Sequence, residues 1–236
     1  MPGTNNSTKP AALVTGASSG IGLAIAMKLA SMGYEVYGMG RNFMDETCSF
    51  TQVPIDLLDT NSLTKAVKEF SKAHSVQVLV NCAGTAYYGL FEEIKPLDIQ
   101  EMVRVNLEVP MLLTNLLLRD LKKNKGYIIN VSSVTATSSN PHGVCYGATK
   151  AGLSSFSKSL FDEARKYGLQ VCDIKPDMTQ TNLYRNANFC AEDDLQAALV
   201  PEDVANAVEW ILTNRHGLVV NEITLKPQLH RLKKKL

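Results

Sequence analysis

The sequence has few of the features that mark a secreted, membrane-spanning or nucleic-acid-binding protein. Its five cysteines are odd in number and scattered, and they form no Cys-x-x-Cys pair. We therefore expect reduced thiols in a cytoplasmic protein, with neither disulfide bonds nor a metal site. No hydrophobic run approaches the length of about 20 residues that spans a bilayer. The net charge is only +1, so no general attraction to nucleic acid or to an anionic membrane is expected.

Length and composition predict one globular domain. The chain has 236 residues, of which 45% are hydrophobic and 20% charged, which is enough for one sizeable core. We assign this domain to residues 11–226. Residues 1–10 are polar and are predicted to form a disordered leader rather than a signal peptide. Residues 227–236 end in a run of lysines and are predicted to form a solvated basic tail.

A glycine-rich turn between a strand and a helix is the first candidate for ligand binding. A short apolar strand, 11–15, is followed by glycines at a Gly-x-x-x-Gly-x-Gly spacing and then by a helical pattern. Glycine lets the backbone approach a pyrophosphate closely, and the N–H groups at a helix N-terminus attract its charge. An ordinary strand–helix turn is the alternative. The contacts expected with a dinucleotide are Gly16, Ser18, Ser19, Gly20, Ile21 and Gly22.

The next two predicted strands end where a dinucleotide sheet meets the adenosine. The strand 34–39 is followed by Arg41, and no acid occurs from residue 38 through 44. An acid at this point binds the ribose hydroxyl of NAD, whereas an arginine accommodates the 2′-phosphate of NADP, so NADP(H) is favoured. Arg41 could instead be a simple surface residue. Asp56, followed by Leu57, ends the strand 52–55 and is expected to accept from the adenine amino group, unless it only precedes the next helix.

Two further strand ends are predicted to contact the nicotinamide half of the cofactor. The strand 76–80 runs into small residues that let a flat ring pack closely, although an ordinary turn would look the same. The strand 169–174 leads to a proline, which forces an extended exit, and to threonines that can bind phosphate or amide groups. The cofactor contacts expected here are Asn81, Ala83, Gly84, Pro176, Met178, Thr179 and Thr181.

The central candidate for catalysis is the stretch from residue 130 to 150. Tyr146 and Lys150 are four residues apart, so on a helix they project from one face. An ammonium beside a phenol is expected to lower the pKa of the phenol from about 10 towards neutrality. Ser133 follows the apolar strand 127–131, at the edge where open α/β sheets bind ligands. A solvated helix face is the alternative for this pattern.

Asn106 interrupts the long apolar helical pattern at 97–121. A buried amide must find hydrogen-bond partners, and a local distortion of the helix could provide them. A structural amide and a catalytic one are both compatible with this position. With six or seven strands alternating with helices and no repeats, the whole sequence predicts an α/β fold: a doubly wound parallel sheet in three layers.

In their order and spacing, these motifs resemble the single-domain members of the short-chain dehydrogenase/reductase family. The resemblance rests on residues 15–22 and 81–84, on Asn106, on Ser133, and on Tyr146-x-x-x-Lys150. It implies a Rossmann-type fold, a nicotinamide cofactor and hydride transfer between an alcohol and a carbonyl.

The resemblance also implies roles for four residues. Tyr146 would be the general acid/base, and Lys150 would hold the nicotinamide ribose and lower the pKa of the tyrosine. Ser133 would hydrogen-bond the substrate oxygen, and Asn106 would position a proton-relay water near Lys150.

The sequence departs from the family pattern at three points. Asp177 follows Pro176 where the family often has glycine, and Cys82 stands where the family most often has a second asparagine. The end of the chain lacks the usual Asp-Gly-Gly and resembles the branch with 3-hydroxy acid and serine dehydrogenases. The Asp177 carboxylate could alter the conformation of its loop or disfavour acidic substrates.

We therefore predict an NADP(H)-dependent oxidoreductase that forms a homodimer or a homotetramer. A catalytically silent NADP(H)-binding sensor or scaffold is the alternative. The substrate would be a ketone, an aldehyde, a hydroxysteroid, a 3-oxoacyl group or a 3-hydroxy acid. The segment 182–200 is either a flap over the pocket or a surface loop. The residues expected near the substrate are Ser133, Tyr146, Tyr87, Tyr88, His142, Cys145, Met178, Leu183, Tyr184 and Phe189.

Overall fold

The core of the fold is a parallel sheet whose strands alternate with helices along the chain. The computed structural model describes residues 9–44, 47–215 and 217–235. The strands are β1 (Ala11–Thr15), β2 (Glu35–Gly40), β3 (Thr51–Pro54), β4 (Val76–Asn81), β5 (Tyr127–Val131), β6 (Gln170–Pro176), β7 (Phe189–Ala191), β8 (Glu222–Leu225) and β9 (Leu232–Lys234). Seven of them form one sheet in the order β3-β2-β1-β4-β5-β6-β8, and all of its pairings are parallel.

Helices cover both faces of the sheet and produce the three predicted layers. In β1, Ala11 and Leu13 pack with one set of helices, while Ala12 and Val14 pack with the other, because side chains alternate along a strand. The helices are α1 (Gly20–Ser31), α2 (Thr60–Ala73), α3 (Pro96–Val103), α4 (Val109–Lys123), α5 (Val144–Ala164) and α6 (Pro201–Leu212). The first face carries α2, α4 and α5, and the second carries α1 and α6. Within the described residues, none of these helices is long and apolar enough to cross a bilayer.

The long helix predicted at 97–121 is divided by a π-helical turn. Between α3 and α4, Arg104–Glu108 form this turn, and the Val109 N–H donates five residues back, to the Arg104 carbonyl. Pro110 explains the change of register, because proline has no N–H to donate to the carbonyl of Asn106, its α-helical partner. The helical distortion expected around Asn106 is therefore present, and it has an identifiable cause.

The C-terminal part of the chain is more ordered than the sequence predicts. The segment 182–200 contains a 3₁₀ helix, Asn182–Asn186, and the strand β7. The predicted solvated tail, 227–236, contributes β9, which pairs with β7 as a separate antiparallel ribbon. Its side chains are exposed, so the tail owes its order to backbone pairing rather than to burial. Most of the predicted leader, residues 1–8, lies outside the described residues.

A buried ion-pair cluster lies between β6 and β8. The Lys175 side chain is almost completely inaccessible, and its Nζ lies 2.5 Å from Glu222 Oε2 and 3.4 Å from Asp173 Oδ2. Asp173 is equally buried. Lys158 on α5 reaches Glu222 from the solvent side, with 60% of its own side chain exposed.

Replacing Lys175 by methionine should strongly destabilise the protein. The Lys175→Met substitution leaves the buried Asp173 carboxylate without its cation, which typically costs about 3–5 kcal/mol. The matched control is Lys158→Met, which removes an exposed partner of the same Glu222 and should cost less than about 1 kcal/mol. Urea unfolding of the two variants measures the difference, and equal losses would contradict this account of the cluster.

Candidate active site

A cleft of about 1500 Å³ opens along the carboxyl ends of the strands. This is where doubly wound sheets bind their ligands, and the volume exceeds that of an ordinary single-ligand pocket. Most of the residues predicted from sequence line this cleft. They are Gly16, Ser18, Ser19, Gly20, Ile21, Gly22, Arg41, Asp56, Leu57, Ala83, Gly84, Ser133, His142, Tyr146, Lys150, Pro176, Met178, Thr179, Thr181, Leu183 and Tyr184.

The glycine turn after β1 has no room for a side chain at Gly16 or at Gly22. Gly16 and Gly20 have positive φ angles of 72° and 55°. A Cβ on Gly22 would lie 2.2 Å from the Gly16 carbonyl oxygen, so the turn can close only with glycine. No acid occupies the first turn of α1, so nothing offsets the attraction of its N-terminus for an anion. The turn therefore fits a pyrophosphate.

The adenosine end of the cleft is formed after β2 and β3. Arg41 is exposed and lines the cleft directly beyond β2. Asp56 is also exposed, and its Oδ1 accepts a hydrogen bond of 3.0 Å from the Leu58 N–H. Asp56 therefore organises its own loop, and its second carboxylate oxygen is the one left for a ligand.

The Thr15 hydroxyl connects β1 to the loop after β4. Thr15 Oγ1 accepts hydrogen bonds of 3.1 Å from the N–H groups of both Cys82 and Ala83. Asn81, by contrast, does not line the cleft: its Nδ2 donates to Asn130 Oδ1 at 2.8 Å, beneath α5. The prediction that Asn81 contacts the cofactor is therefore wrong for its side chain, because strand alternation turns that side chain into the helical layer.

Ser133, Tyr146 and Lys150 meet at the end of β5. All three are at most 7% exposed, and the Ser133 hydroxyl is near enough to the Tyr146 phenol to lower its pKa. Lys150 Nζ donates to the Val131 carbonyl at 2.8 Å and lies 5.8 Å from the centre of the Tyr146 ring. The helical spacing of the tyrosine and the lysine thus brings a phenol and an amine to one face of α5, as predicted.

Burial reverses the expected change in the pKa of Tyr146. Burial raises the pKa of the phenol to about 12, although the nearby Ser133 hydroxyl lowers it. Burial also lowers the pKa of Lys150 to about 8, opposed by the nearby Cys82 and Asp173. The predicted shift of the tyrosine pKa towards neutrality is therefore wrong for the protein alone, because desolvation outweighs the effect of Ser133, the one neighbour that lowers this pKa.

The Asn106 side chain is fully occupied by structural hydrogen bonds. Its Oδ1 accepts from the Thr85 N–H at 2.9 Å, and its Nδ2 donates to the Thr85 carbonyl and to Thr149 Oγ1. The side chain is 0% exposed and lies outside the cleft lining. It connects the loop after β4 to α5. The amide group of Asn106 is therefore structural, with its hydrogen bonds made inside the protein.

Aromatic side chains form the substrate end of the cleft. The Tyr88 ring lies 6.0 Å from Tyr146, 6.2 Å from Tyr184 and 5.0 Å from Phe189, measured between ring centres. Tyr88 and Phe189 line the cleft, as predicted.

Two residues predicted for this wall lie outside the cleft lining. The Tyr87 hydroxyl instead donates to Glu101 at 2.7 Å. Cys145 packs beside Tyr146 in the small apolar cluster around Ala86 and Met102. The adjacent residues Tyr88 and Tyr146 face the cleft instead. Sequence spacing alone does not predict which residue of each adjacent pair faces the cleft.

Several lining residues were missed by the sequence reasoning. Those at the substrate end come from the segment 182–200, from Lys226 and from the predicted tail 227–236. Only the mixture of aromatic and polar residues in the first segment hinted at a pocket, and nothing in the tail did. At the substrate end they include Arg185, Asn186, Asn188, Lys226, Pro227, Gln228, His230 and Leu232.

Comparisons with known proteins identify the family. The family described as short chain dehydrogenase matches residues 10–189. A serine 3-dehydrogenase from Rhizobium radiobacter is 32% identical over 230 residues, covering 91% of this chain and 92% of that protein. A probable NADP-dependent dehydrogenase from Haemophilus influenzae is 32% identical over 235 residues, covering 92% of each. The chain belongs to the short-chain dehydrogenase/reductase family, and it is an oxidoreductase of that family.

Solved structures agree with the fold. A metagenomic short-chain oxidoreductase in complex with NADP superposes with a TM-score of 0.80 at 27% identity, covering 93% of this chain and 98% of that one. An alcohol dehydrogenase from Thermococcus sibiricus, complexed with 5-hydroxy-NADP, reaches a TM-score of 0.84 over 94% of this chain and 98% of that one. At 23% identity, the second likeness concerns the fold alone.

The lowered pKa of Lys150 predicts how stability depends on pH in the protein without ligand. The pKa of Lys150 falls from 10.5 in the unfolded chain to about 8 in the folded protein. Its contribution to stability is therefore fully present above the unfolded pKa and is lost as the pH falls through the folded one. From pH 7.5 to 9.5, the wild type should therefore gain about 2 kcal/mol relative to Lys150→Met. Urea unfolding at both pH values measures this gain. The Lys158→Met control should follow the wild type, and a parallel course for Lys150→Met would contradict the buried amine.

Proposed function

We propose that the protein is an NADP(H)-dependent alcohol dehydrogenase or carbonyl reductase. The observation that carries the proposal is the buried group of Ser133, Tyr146 and Lys150 at the end of a cleft continuous with the glycine turn. A sensor or scaffold would need the turn but not these three residues, and no observation favours that alternative.

Each residue of the group would have a distinct task. When bound, the nicotinamide supplies the hydride for the carbonyl carbon. Tyr146 donates its proton to the carbonyl oxygen, and its raised pKa keeps the phenol protonated at neutral pH. Ser133 hydrogen-bonds the same substrate oxygen. Lys150 contacts the ribose, and the Val131 carbonyl fixes the direction of its amine.

In alcohol oxidation, Tyr146 would accept the proton and the cofactor the hydride. For this direction the phenol must first lose its own proton. The positive charge of an oxidised nicotinamide would favour that loss.

NADP(H) is proposed over NAD(H) because of the adenosine end of the cleft. Arg41 is exposed there and provides a planar, charged donor group for a phosphate. The Haemophilus relative is named as NADP-dependent, and the metagenomic relative was crystallised with NADP.

The aromatic wall supports an apolar or medium-sized carbonyl substrate. Tyr88, Tyr184 and Phe189 offer ring faces and edges to a ketone, an aldehyde, a hydroxysteroid or the acyl portion of a 3-oxoacyl group. A 3-hydroxy acid is also in keeping with the serine 3-dehydrogenase relative.

A cytoplasmic homodimer or homotetramer is part of the same proposal. The outward face of α5 carries Ala148, Ser155 and Ser159, all exposed and small enough for close approach of a second helix. The five cysteines are free thiols, in keeping with a reducing compartment.

Replacing Arg41 should affect the two cofactors differently. Arg41→Ala should weaken NADPH binding by about 1.5–3 kcal/mol, the contribution of a charge-assisted hydrogen bond, and should leave NADH binding nearly unchanged. Fluorescence titration measures both affinities. Arg165→Ala, at the exposed end of α5, serves as the control for loss of an exposed arginine. Equal losses for NADPH and NADH would refute the role of Arg41.

Replacing Tyr146 should separate binding from chemistry. Tyr146→Phe removes only the hydroxyl, so the fold and the NADPH affinity should survive while turnover falls by at least about a hundredfold. NADPH oxidation with a panel of ketones and aldehydes measures the loss. Tyr127→Phe removes a hydroxyl at the start of β5, outside the cleft lining, and should behave as the wild type. A Tyr146→Phe protein with near-normal turnover would rule out the proton transfer.

A further inference from the structure

The C-terminal residues 226–235, which we call the strap, contribute directly to the cleft. The strap follows β8, and four of its residues line the cleft: Lys226, Gln228, His230 and Leu232. The strap lies over two segments of the substrate end: the loop that follows β6 and the segment 182–200. Its contacts with these two segments differ in kind.

The first contact is to Asp177, where the family pattern usually has glycine. His230 Nδ1 lies 3.1 Å from Asp177 Oδ1, and the same oxygen accepts a 2.8 Å hydrogen bond from the Met178 N–H. The Asp177 side chain is only 11% exposed, whereas that of His230 is 54% exposed. Asp177 thus connects the strap to the beginning of the loop that carries Thr179 and Thr181.

The second contact is to the substrate-side segment. β9 pairs with β7, so Leu232 lies opposite Ala191 and Lys234 opposite Phe189. Lys235 adds three hydrogen bonds: its N–H donates to the Asn188 carbonyl at 2.9 Å, and its Nζ donates to the carbonyls of Tyr184 and Arg185.

Aromatic packing connects the segment held by the strap to the group of Ser133, Tyr146 and Lys150. Phe189 packs edge-on against Tyr88, and Tyr88 packs against Tyr146. The position of β7 therefore affects the ring next to the catalytic hydroxyl. Since the side chains of β9 are exposed, the strap is held by a few hydrogen bonds rather than by a core.

We propose that the strap positions both walls of the substrate site, with His230 as the positioning residue for the loop after β6 and Lys235 as the positioning residue for the aromatic wall. Asp177, at a departure from the family pattern, then has a function: its carboxylate receives the strap. The kinetic part of this proposal rests on the proposed function, whereas the positioning itself does not depend on it.

Three variants of the full chain test the proposal. His230→Ala removes the contact to Asp177, and His230→Gln retains an N–H donor there. Lys235→Met removes the Nζ donor to Tyr184. The matched control is Lys233→Met, which removes a neighbouring lysine whose exposed ion pair with Asp193 lies outside the cleft lining.

Amide hydrogen exchange provides a readout that needs no activity. We expect His230→Ala to accelerate exchange at residues 178–181 at least fivefold, and Lys235→Met to do so at residues 184–191. His230→Gln should restore most of the protection, and Lys233→Met should exchange as the wild type. Unchanged exchange in both His230→Ala and Lys235→Met would overturn the proposal, as would equal acceleration in the Lys233→Met control.

Steady-state kinetics with the best substrate of the ketone panel provide the second readout. In both positioning variants, KM should rise at least threefold, with the thermal unfolding temperature close to that of the wild type. An unchanged KM in both variants would overturn the positioning of the substrate site. A wild type without turnover would count against the proposed function alone, because the exchange experiment would still decide whether the strap orders the two walls.

Discussion

The active site depends on a primary amine buried at the end of the central sheet. Lys150 reaches from α5 to the last carbonyl of β5, at Val131, and so fixes the helix relative to the strand that leads to Ser133. Burial makes this arrangement costly for the charged amine, as its lowered pKa reflects. The same lack of water keeps the Tyr146 phenol protonated. One constraint, the exclusion of solvent, therefore sets both the geometry of Ser133, Tyr146 and Lys150 and the protonation state of Tyr146 before a ligand binds.

A second constraint holds α5 at Thr149, the neighbour of Lys150. Pro110 cannot donate to the Asn106 carbonyl, and the π-helical turn that results directs the Asn106 amide inward. That amide joins the loop after β4 to Thr149, the residue directly before Lys150. The end of β1, the loop after β4 and α5 are thus joined beside the cleft by hydrogen bonds to the Thr15 hydroxyl and the Asn106 amide.

The sequence was sufficient to predict the layers, the glycine turn and the facing of Tyr146 and Lys150, because each follows from a local period. It was not sufficient where the position or the pKa of a side chain depends on tertiary contacts. Asn81 and Tyr87 sit beside cleft residues but point away from the cleft, and the direction of the Tyr146 pKa follows from burial that spacing cannot measure. The strap was missed because β9 has no hydrophobic pattern and exists only through its pairing with β7.

The central claim is that this chain moves a hydride between NADPH and a carbonyl carbon within the cleft. The most direct measurement follows deuterium from NADPH, labelled in turn on each face of nicotinamide C4, into the alcohol formed from a ketone or an aldehyde. The account predicts that one of the two labels is transferred completely to the carbinol carbon, because a fixed nicotinamide presents a single face to the substrate. Tight NADPH binding with no deuterium transfer from either face, across the whole panel, would contradict it.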